Sequence, residues 1–372
     1  MKQFSLTLAF VLALSACASD EVIPTETQGH GGTPSVREVS VRKVIALTGP
    51  EAPDSTKDID LCSTDIGTMT ELGGKIYYAF GDSFGYDGDA CQPFGPNWRS
   101  NLLGNSSDLE PKDGVTWDGW YTGADGKAIA VSEGAHEPAF AEPGSEGTRI
   151  PTSMVTVGNR LYLHYMSIHG FSSYGGQWLC NFSRFVYSDD AGENWTEATG
   201  DFGTTADRFN MLALSKQAGE GNSRGRYVYA VGTSCGRFGG ARVGRVRAEK
   251  LLDNSAWEYF NGKRWSKTRN DAAEVIKPPV GEGSLVWNEG IGRWMYSYLN
   301  EDAAALELRL SRNPWGPWDA PLTLARGTDY PALYGAFMTP SFIKNNGKTF
   351  YFVMSQFGPY NTYIMEATLK TR

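Results

Sequence analysis

One unit, a glycine-led turn running into an aromatic-rich strand, occurs five times in this chain: GKIYYAFGD from Gly74, GNRLYLHYMS from Gly158, GRYVYAVGT from Gly225, GRWMYSYLN from Gly292 and GKTFYFVMS from Gly347. Aromatic and β-branched residues favour strands, and a glycine at the head supplies the turn of a hairpin. An apolar stretch of strand length precedes each copy: IGTMTEL, PTSMVTV, FNMLALS, EGSLVWN and MTPSFIK. The intervals between copies suit four-stranded sheets with loops of varying length. Repetition on that scale predicts an all-β chain folded as a five-bladed β-propeller. The 44 Gly, 18 Tyr, 18 Phe and 11 Trp among 372 residues fit this, since they combine turn formers with strand formers.

Two further segments read as parts of blades. Ser188-Asp189-Asp190-Ala191-Gly192-Glu193-Asn194-Trp195 fits the Asp-box pattern SxDxGxxW, in which an acidic side chain braces a hairpin turn and the Trp packs between sheets. It marks the fold and is not a catalytic site. SRNPWGPW from Ser311 follows the strand ALELRLS and reads as the outer hairpin of the fourth blade. VSVRKVIAL, Val39 to Leu47, alternates in outline and is expected to complete the last blade and close the ring. Helix is confined to one or two turns near Ala248 to Leu252, and the long Asp108 to Gly147 region reads as outer strands of blade one plus a loop on the rim of a cleft.

The front of the chain carries an address. KQFSLTLAFVLALSAC, residues 2 to 17, has a basic start and an apolar run too short to span a membrane comfortably. Leu14-Ser15-Ala16-Cys17 resembles the bacterial lipobox, which predicts a lipoprotein signal peptide over residues 1–16, lipidation of Cys17, and a flexible Ser, Thr, Pro and Gly-rich tether over 17–37. The propeller domain is then expected over 38–372. Ala18 rather than Asp follows the lipidated position, which allows transfer to an outer membrane. The expected location is the cell envelope, exported and lipid-anchored at the outer membrane or cell surface, with the lipid as the only membrane contact. Cys62, Cys91, Cys180 and Cys235 remain, and in an oxidising compartment up to two bridges form; three connectivities are open, of which 62 with 91 and 180 with 235 join nearby elements.

Charge and motifs narrow the chemistry. Lys plus Arg number 34 against 42 Asp plus Glu, and the net charge of -8 argues against a nucleic-acid partner. No CxxC, HExxH, Walker or Rossmann pattern is present and the four His sit in no recognisable triad order, so no metal, cofactor or hydroxyl nucleophile is called for. GRFGGARVGR from Gly236 reads as a loop leading into a strand. Of the four His, His30 lies in the tether, His164 suits an interior strand position, and His136 and His169 are loop candidates for binding.

In a propeller the innermost strands begin at the central axis, so their first residues meet at one mouth. Asp65 leads the first inner strand and Glu282 the fourth, while Asp82 ends the first hairpin. Thr152 and Tyr334 lead the second and fifth and suit contact with sugar. Acids beside glycine also cap turns. Paired carboxylates across a cleft are, however, the minimum equipment for glycoside hydrolysis, one protonating the leaving oxygen and one activating water or attacking carbon.

Taken together, FGDSFG, RSN at Arg99 to Asn101, GEGSLVWN, SRNPWGPW and LYGAFMTPSF resemble the domain of unknown function 4185, grouped as glycoside hydrolase family 183, from about Asp58 to Leu369. The resemblance implies a five-bladed propeller that cleaves D-arabinofuranose polymers such as the arabinan of arabinogalactan or lipoarabinomannan. Carried over by motif, it implies Asp65, Asp82 and Glu282 as the catalytic acids and Arg99 and Asn101 as sugar contacts. Glu282 is expected as acid, Asp65 as base and Asp82 as the group that tunes a partner. The chain is thus expected to be an exported, monomeric glycosidase whose partner is a polysaccharide. A non-catalytic carbohydrate-binding propeller and an interaction scaffold are the alternatives.

Overall fold

The computed structural model describes residues 36–172, 174–216 and 225–371. The expectations for the signal peptide, for Cys17 and for nearly all of the tether lie outside the described residues. The tether's expected end at 37 is corrected, because the first strand already begins at Val36.

Five antiparallel sheets form the blades. From the inside outward, blade one is Ser63–Leu72, Lys75–Phe84, Leu102–Ser106 and Gly119–Trp120. Blade two runs Thr148–Val157, Arg160–Phe171 and Trp178–Ser188, with short outer strands, and blade three runs Met211–Lys216, Tyr227–Thr233 and Ala241–Arg247 before its own outer pieces. Blade four is Gly283–Asn288, Arg293–Asn300, Ala305–Ser311 and Leu322–Arg326. Blade five is Leu333–Lys344, Thr349–Gln356 and Asn361–Thr371, and its fourth strand is the N-terminal Val36–Ala46.

That last pairing closes the ring. Val36–Ala46 lies antiparallel on Asn361–Thr371 from Val36↔Thr371 to Ala46↔Tyr363, so an edge that would otherwise expose unpaired amides and carbonyls is covered from the other end of the chain. Arg42 forms a two-pronged ion pair with Glu366 across the seam.

The repeat has a backbone cause. All five leading glycines, Gly74, Gly158, Gly225, Gly292 and Gly347, sit at φ between +59° and +81°, the left-handed region that a tight hairpin turn needs and that side chains disfavour. The aromatic strands that follow fill the space between blades: Tyr77, Leu103, Leu161, Leu163 and Tyr165 form one shared core of blades one and two. Trp195 of the Asp box packs against this core, while Asp190 accepts hydrogen bonds from Ser188 Oγ and the Asn194 amide at 2.8 and 2.9 Å. A 3-10 turn at Ala248–Lys250 falls where a short helix is expected.

Direction along the blades decides where a site can form. Inner strands start at one face and second strands end at that same face. The loops joining second to third strands therefore crowd around the inner strands' first residues.

Candidate active site

Asp65 reaches the axis because the first inner strand is bulged there. The ladder shifts register between Thr64 and Ile66 and again before Thr68, and Ile66 has φ +65°, a conformation that a β-branched residue adopts only under strain. Ser355 of blade five holds the bulge by accepting the Ile66 amide at 2.9 Å. Across the hairpin stands Gly81, and a Cβ at that position would lie 2.1 Å from Asp65 Oδ1. The glycine of FGDSFG thus makes room for a carboxylate.

Four acids line one cleft of about 780 Å³: the expected Asp65, Asp82 and Glu282, and with them Glu301. Burial pushes Asp65 up to about 8, with the nearby Asp82 charge adding to it and the hydroxyls of Tyr334 and Tyr360 pulling the other way. Tyr334 Oη donates to Asp65 Oδ2 at 2.9 Å, and Oδ1 has no partner. Burial also raises Asp82, to about 6, against hydrogen bonds from Thr148 Oγ1 and from Trp98 Nε1, the latter at 2.8 Å.

Glu282 has a different neighbour. Arg237 grips it from the blade-three loop, with Nε 3.1 and 3.0 Å from the two carboxylate oxygens and Nη2 2.8 Å from Oε1. Its Nη1 donates to Glu301 at 2.9 Å. The guanidinium is sandwiched between the Trp178 and Tyr334 rings, 5.2 and 5.0 Å from their centroids, and its two carboxylate partners hold its pKa above the ordinary arginine value despite burial.

The walls are the loops between second and third strands. Blade one contributes Phe94 and Trp98, blade two Tyr174 and Gln177, blade three Arg237, blade four Glu301, and blade five Phe357 and Tyr360. Of the seven exposed large hydrophobic side chains among the described residues, four stand on this rim: Phe94 at 51%, Phe171 at 44%, Tyr174 at 60% and Phe357 at 55% exposed. Such a concentration of solvent-facing rings marks a binding surface. Both disulfides sit here as well. Cys62–Cys91 ties down the loop that carries Phe94 and Trp98, and Cys180–Cys235 joins the third strand of blade two to the Arg237 loop.

The structure brings Asp65, Asp82, Glu282 and Tyr334 together but not the other three expected residues. Arg99 is buried and donates to the Asp60 and Ala128 carbonyls at 2.7 and 3.2 Å. Asn101, fully buried, bonds the backbone of Ser132 and Arg149. Thr152 spends its hydroxyl on His164 Nδ1, at 2.6 Å, and on the Leu212 amide. The expectation that these three touch sugar is corrected, since their polar atoms are used in joining strands and loops.

In the Asp108 to Gly147 region the expected outer strand of blade one is present at Gly119–Trp120, but the loop beyond it backs the rim and does not form it. His136 backs Trp98 at a ring separation of 4.0 Å while bonding Glu133 at 2.6 Å, and Phe140 backs Phe171 at 5.6 Å. Arg237, Trp98, Trp178 and Tyr360 were not singled out from sequence. Arg237 lies in a glycine-rich string with no periodicity, and its lone cue is an arginine between the tight turns Cys235-Gly236 and Gly239-Gly240. Among the described residues no group of His, Cys, Asp and Glu is arranged to hold a metal ion.

A protein of Bacteroides ovatus named as a candidate hydrolase shares the fold at a TM-score of 0.59 and 12% identity, over 84% of this chain and 87% of that one. A family 117 glycoside hydrolase of Zobellia galactanivorans superposes at 0.46 with 14% identity over 89% and 90% of the two chains. The family 32 β-fructofuranosidase of Bombyx mori superposes at 0.48 with 12% identity over 89% and 62%. Comparison with curated proteins gives no match. The sequence model described as Domain of unknown function (DUF4185) matches residues 51–366, and with most of its length covered this chain belongs to that family.

Proposed function

We propose that this protein is a glycoside hydrolase that cleaves D-arabinofuranosyl linkages within arabinan, acting as an exported monomer anchored in the cell envelope by lipid on Cys17. The observation that carries the catalytic part is the split between two carboxylates in one cleft. Asp65, pushed up to about 8, holds its proton at neutral pH, whereas the oxygens of Glu282 accept hydrogen bonds from a guanidinium. Environments that separate two acids in this way supply an acid and a base together.

These contacts favour the reverse of the roles expected from sequence. Asp65 delivers its proton to the glycosidic oxygen, and Glu282 activates water or attacks the anomeric carbon. Burial keeps Asp65 protonated, and the charge of Asp82 adds to it. The exposed rings on the rim offer faces on which sugar rings stack. The substrate class rests on the resemblance to glycoside hydrolase family 183.

The test is incubation of the purified protein with D-arabinan and with xylan, galactan and polyuronide controls, following new reducing ends. Release from D-arabinan alone is expected. Retention on the polymer without release supports the carbohydrate-binding alternative, and release from a different polymer rejects the substrate assignment.

A further inference from the structure

We infer that the Cys180–Cys235 bridge is a positioning element of the active site, holding the Arg237 loop so that the guanidinium stays on Glu282. The inference rests on the catalytic reading above and adds a support that lies outside the cleft's reacting groups.

Four contacts within five residues make the case. Cys235 is bonded to Cys180 in the third strand of blade two, two residues beyond Trp178. The Arg237 amide donates to the Gly176 carbonyl at 2.9 Å. Gly236, at φ +80°, passes so close to that carbonyl that a Cβ would lie 2.5 Å from it. The Arg237 guanidinium then lies over Trp178. The loop from Thr233 to Ala241 is therefore docked on its neighbour blade through one covalent bond, one amide and one stacked ring.

The rest of the loop is held further along, by the Val280 amide on the Gly239 carbonyl at 2.9 Å and by Phe238 against Tyr174, which leaves the turn at Cys235 to Arg237 dependent on that docking. The Arg237 side chain must stay extended across the cleft to reach Glu282 and Glu301 of blade four. Arginine in this pose gives up several rotatable bonds, and a displacement of about 1 Å in such a group costs on the order of 100-fold in rate. The groups facing Glu282 are Arg237, Asp65, Tyr296 and Tyr334, with Glu301 reached through Arg237. Arg237 is the single cation among them. When it leaves, Glu282 is surrounded by an acid and phenols, and a carboxylate deprived of its cation takes up a proton more readily.

The experiment compares wild type, C180S/C235S, R237Q and the triple variant, using D-arabinan cleavage against pH and hydrogen exchange of residues 235–239. The two changes are each expected to lower kcat about 10- to 100-fold at pH 7. Both should move the acidic limb of the profile to higher pH, and the triple variant should be no slower than R237Q. Exchange at 235–239 should rise in C180S/C235S while the strands stay protected. A parental pH profile and parental exchange in C180S/C235S overturn the inference, as do losses that multiply in the triple variant. Should C180S/C235S not fold, C180A/C235A removes the same bridge with small apolar side chains and must reproduce the shift and the exchange, or the inference falls. If oxidised wild type cleaves nothing, the catalytic reading fails separately, and exchange at 235–239 alone decides whether the bridge holds the loop.

Discussion

The role proposed for Asp65 as acid has consequences that separate it from Glu282. Asp65→Asn keeps the shape but removes the proton, so cleavage of polymer should fall by about two to four orders of magnitude, while an activated aryl furanoside, whose leaving group needs little help, should lose much less. Glu282→Gln should impair both substrates, because attack on carbon is needed whatever departs. Rates on the two substrates, measured for variants shown folded by circular dichroism, decide the matter; equal losses in Asp65→Asn, or parental rates in both variants, would remove these roles. The same buried carboxyl ties stability to pH. Its folded value of about 8 lies above that of an unfolded aspartate, so the folded state binds the proton more tightly and the favourable contribution is present at low pH and lost as pH rises towards 8. Roughly 3 kcal/mol or more should disappear over that window, and Asp65→Asn should flatten the loss and be the more stable protein at pH 8. Denaturant midpoints at pH 5 and pH 8 read this directly; an unchanged difference between them in the variant counts against a buried, protonated Asp65.

Among the elements, the closing strand offers the sharpest test. Deleting residues 36–46 uncovers the edge of Asn361–Thr371 along its whole ladder, and the melting temperature should fall by roughly 10 °C or more, with aggregation through the freed edge. A parental melting curve would mean that the ring closes without this strand. The glycine-led repeats and this strand were legible in sequence because turn chemistry and strand alternation are local. The acids were legible for a related reason: an inner strand's first residue must lie near the axis, which brought Asp65, Glu282 and Tyr334 to one cleft. What sequence left open depends on contacts between loops far apart in the chain. Of the three cysteine connectivities left open, the structure forms the one that joins nearby elements, 62 with 91 and 180 with 235, the second by bringing blade two against the loop of blade three. Arg237 could not be singled out, since what marks it is the pair of carboxylates supplied by blade four. Arg99 and Asn101 fail in the opposite way, because polar residues beside a site-bearing strand are as useful for bracing loops as for touching substrate.

For the molecule as a whole, geometry and charge act together. Five blades send their second-to-third-strand loops to one face, so Arg237 and the aromatic rim gather around the acids at the inner strands' first residues. The cleft holds Asp65, Asp82, Glu282 and Glu301 against Arg237, on a chain whose net charge is -8, a field that repels polyanions and suits a neutral polymer. Placement in the cell adds a further requirement, because a polymer held in an envelope does not diffuse to an enzyme. A lipid on Cys17 followed by a tether would keep the propeller within reach of such a substrate while leaving the cleft free to turn toward it. Replacing Cys17 by Ser should move the full chain from the membrane fraction to the soluble fraction, and cleavage of dissolved D-arabinan per molecule should stay at the parental rate, since the described cleft is lined by residues between Asp65 and Tyr360. Fractionation with an antibody, followed by the reducing-end assay on both fractions, measures the two halves of this expectation. Membrane association that survives the substitution rejects lipidation of Cys17, and a loss of activity on dissolved polymer would mean that the N-terminal segment contributes to the site itself.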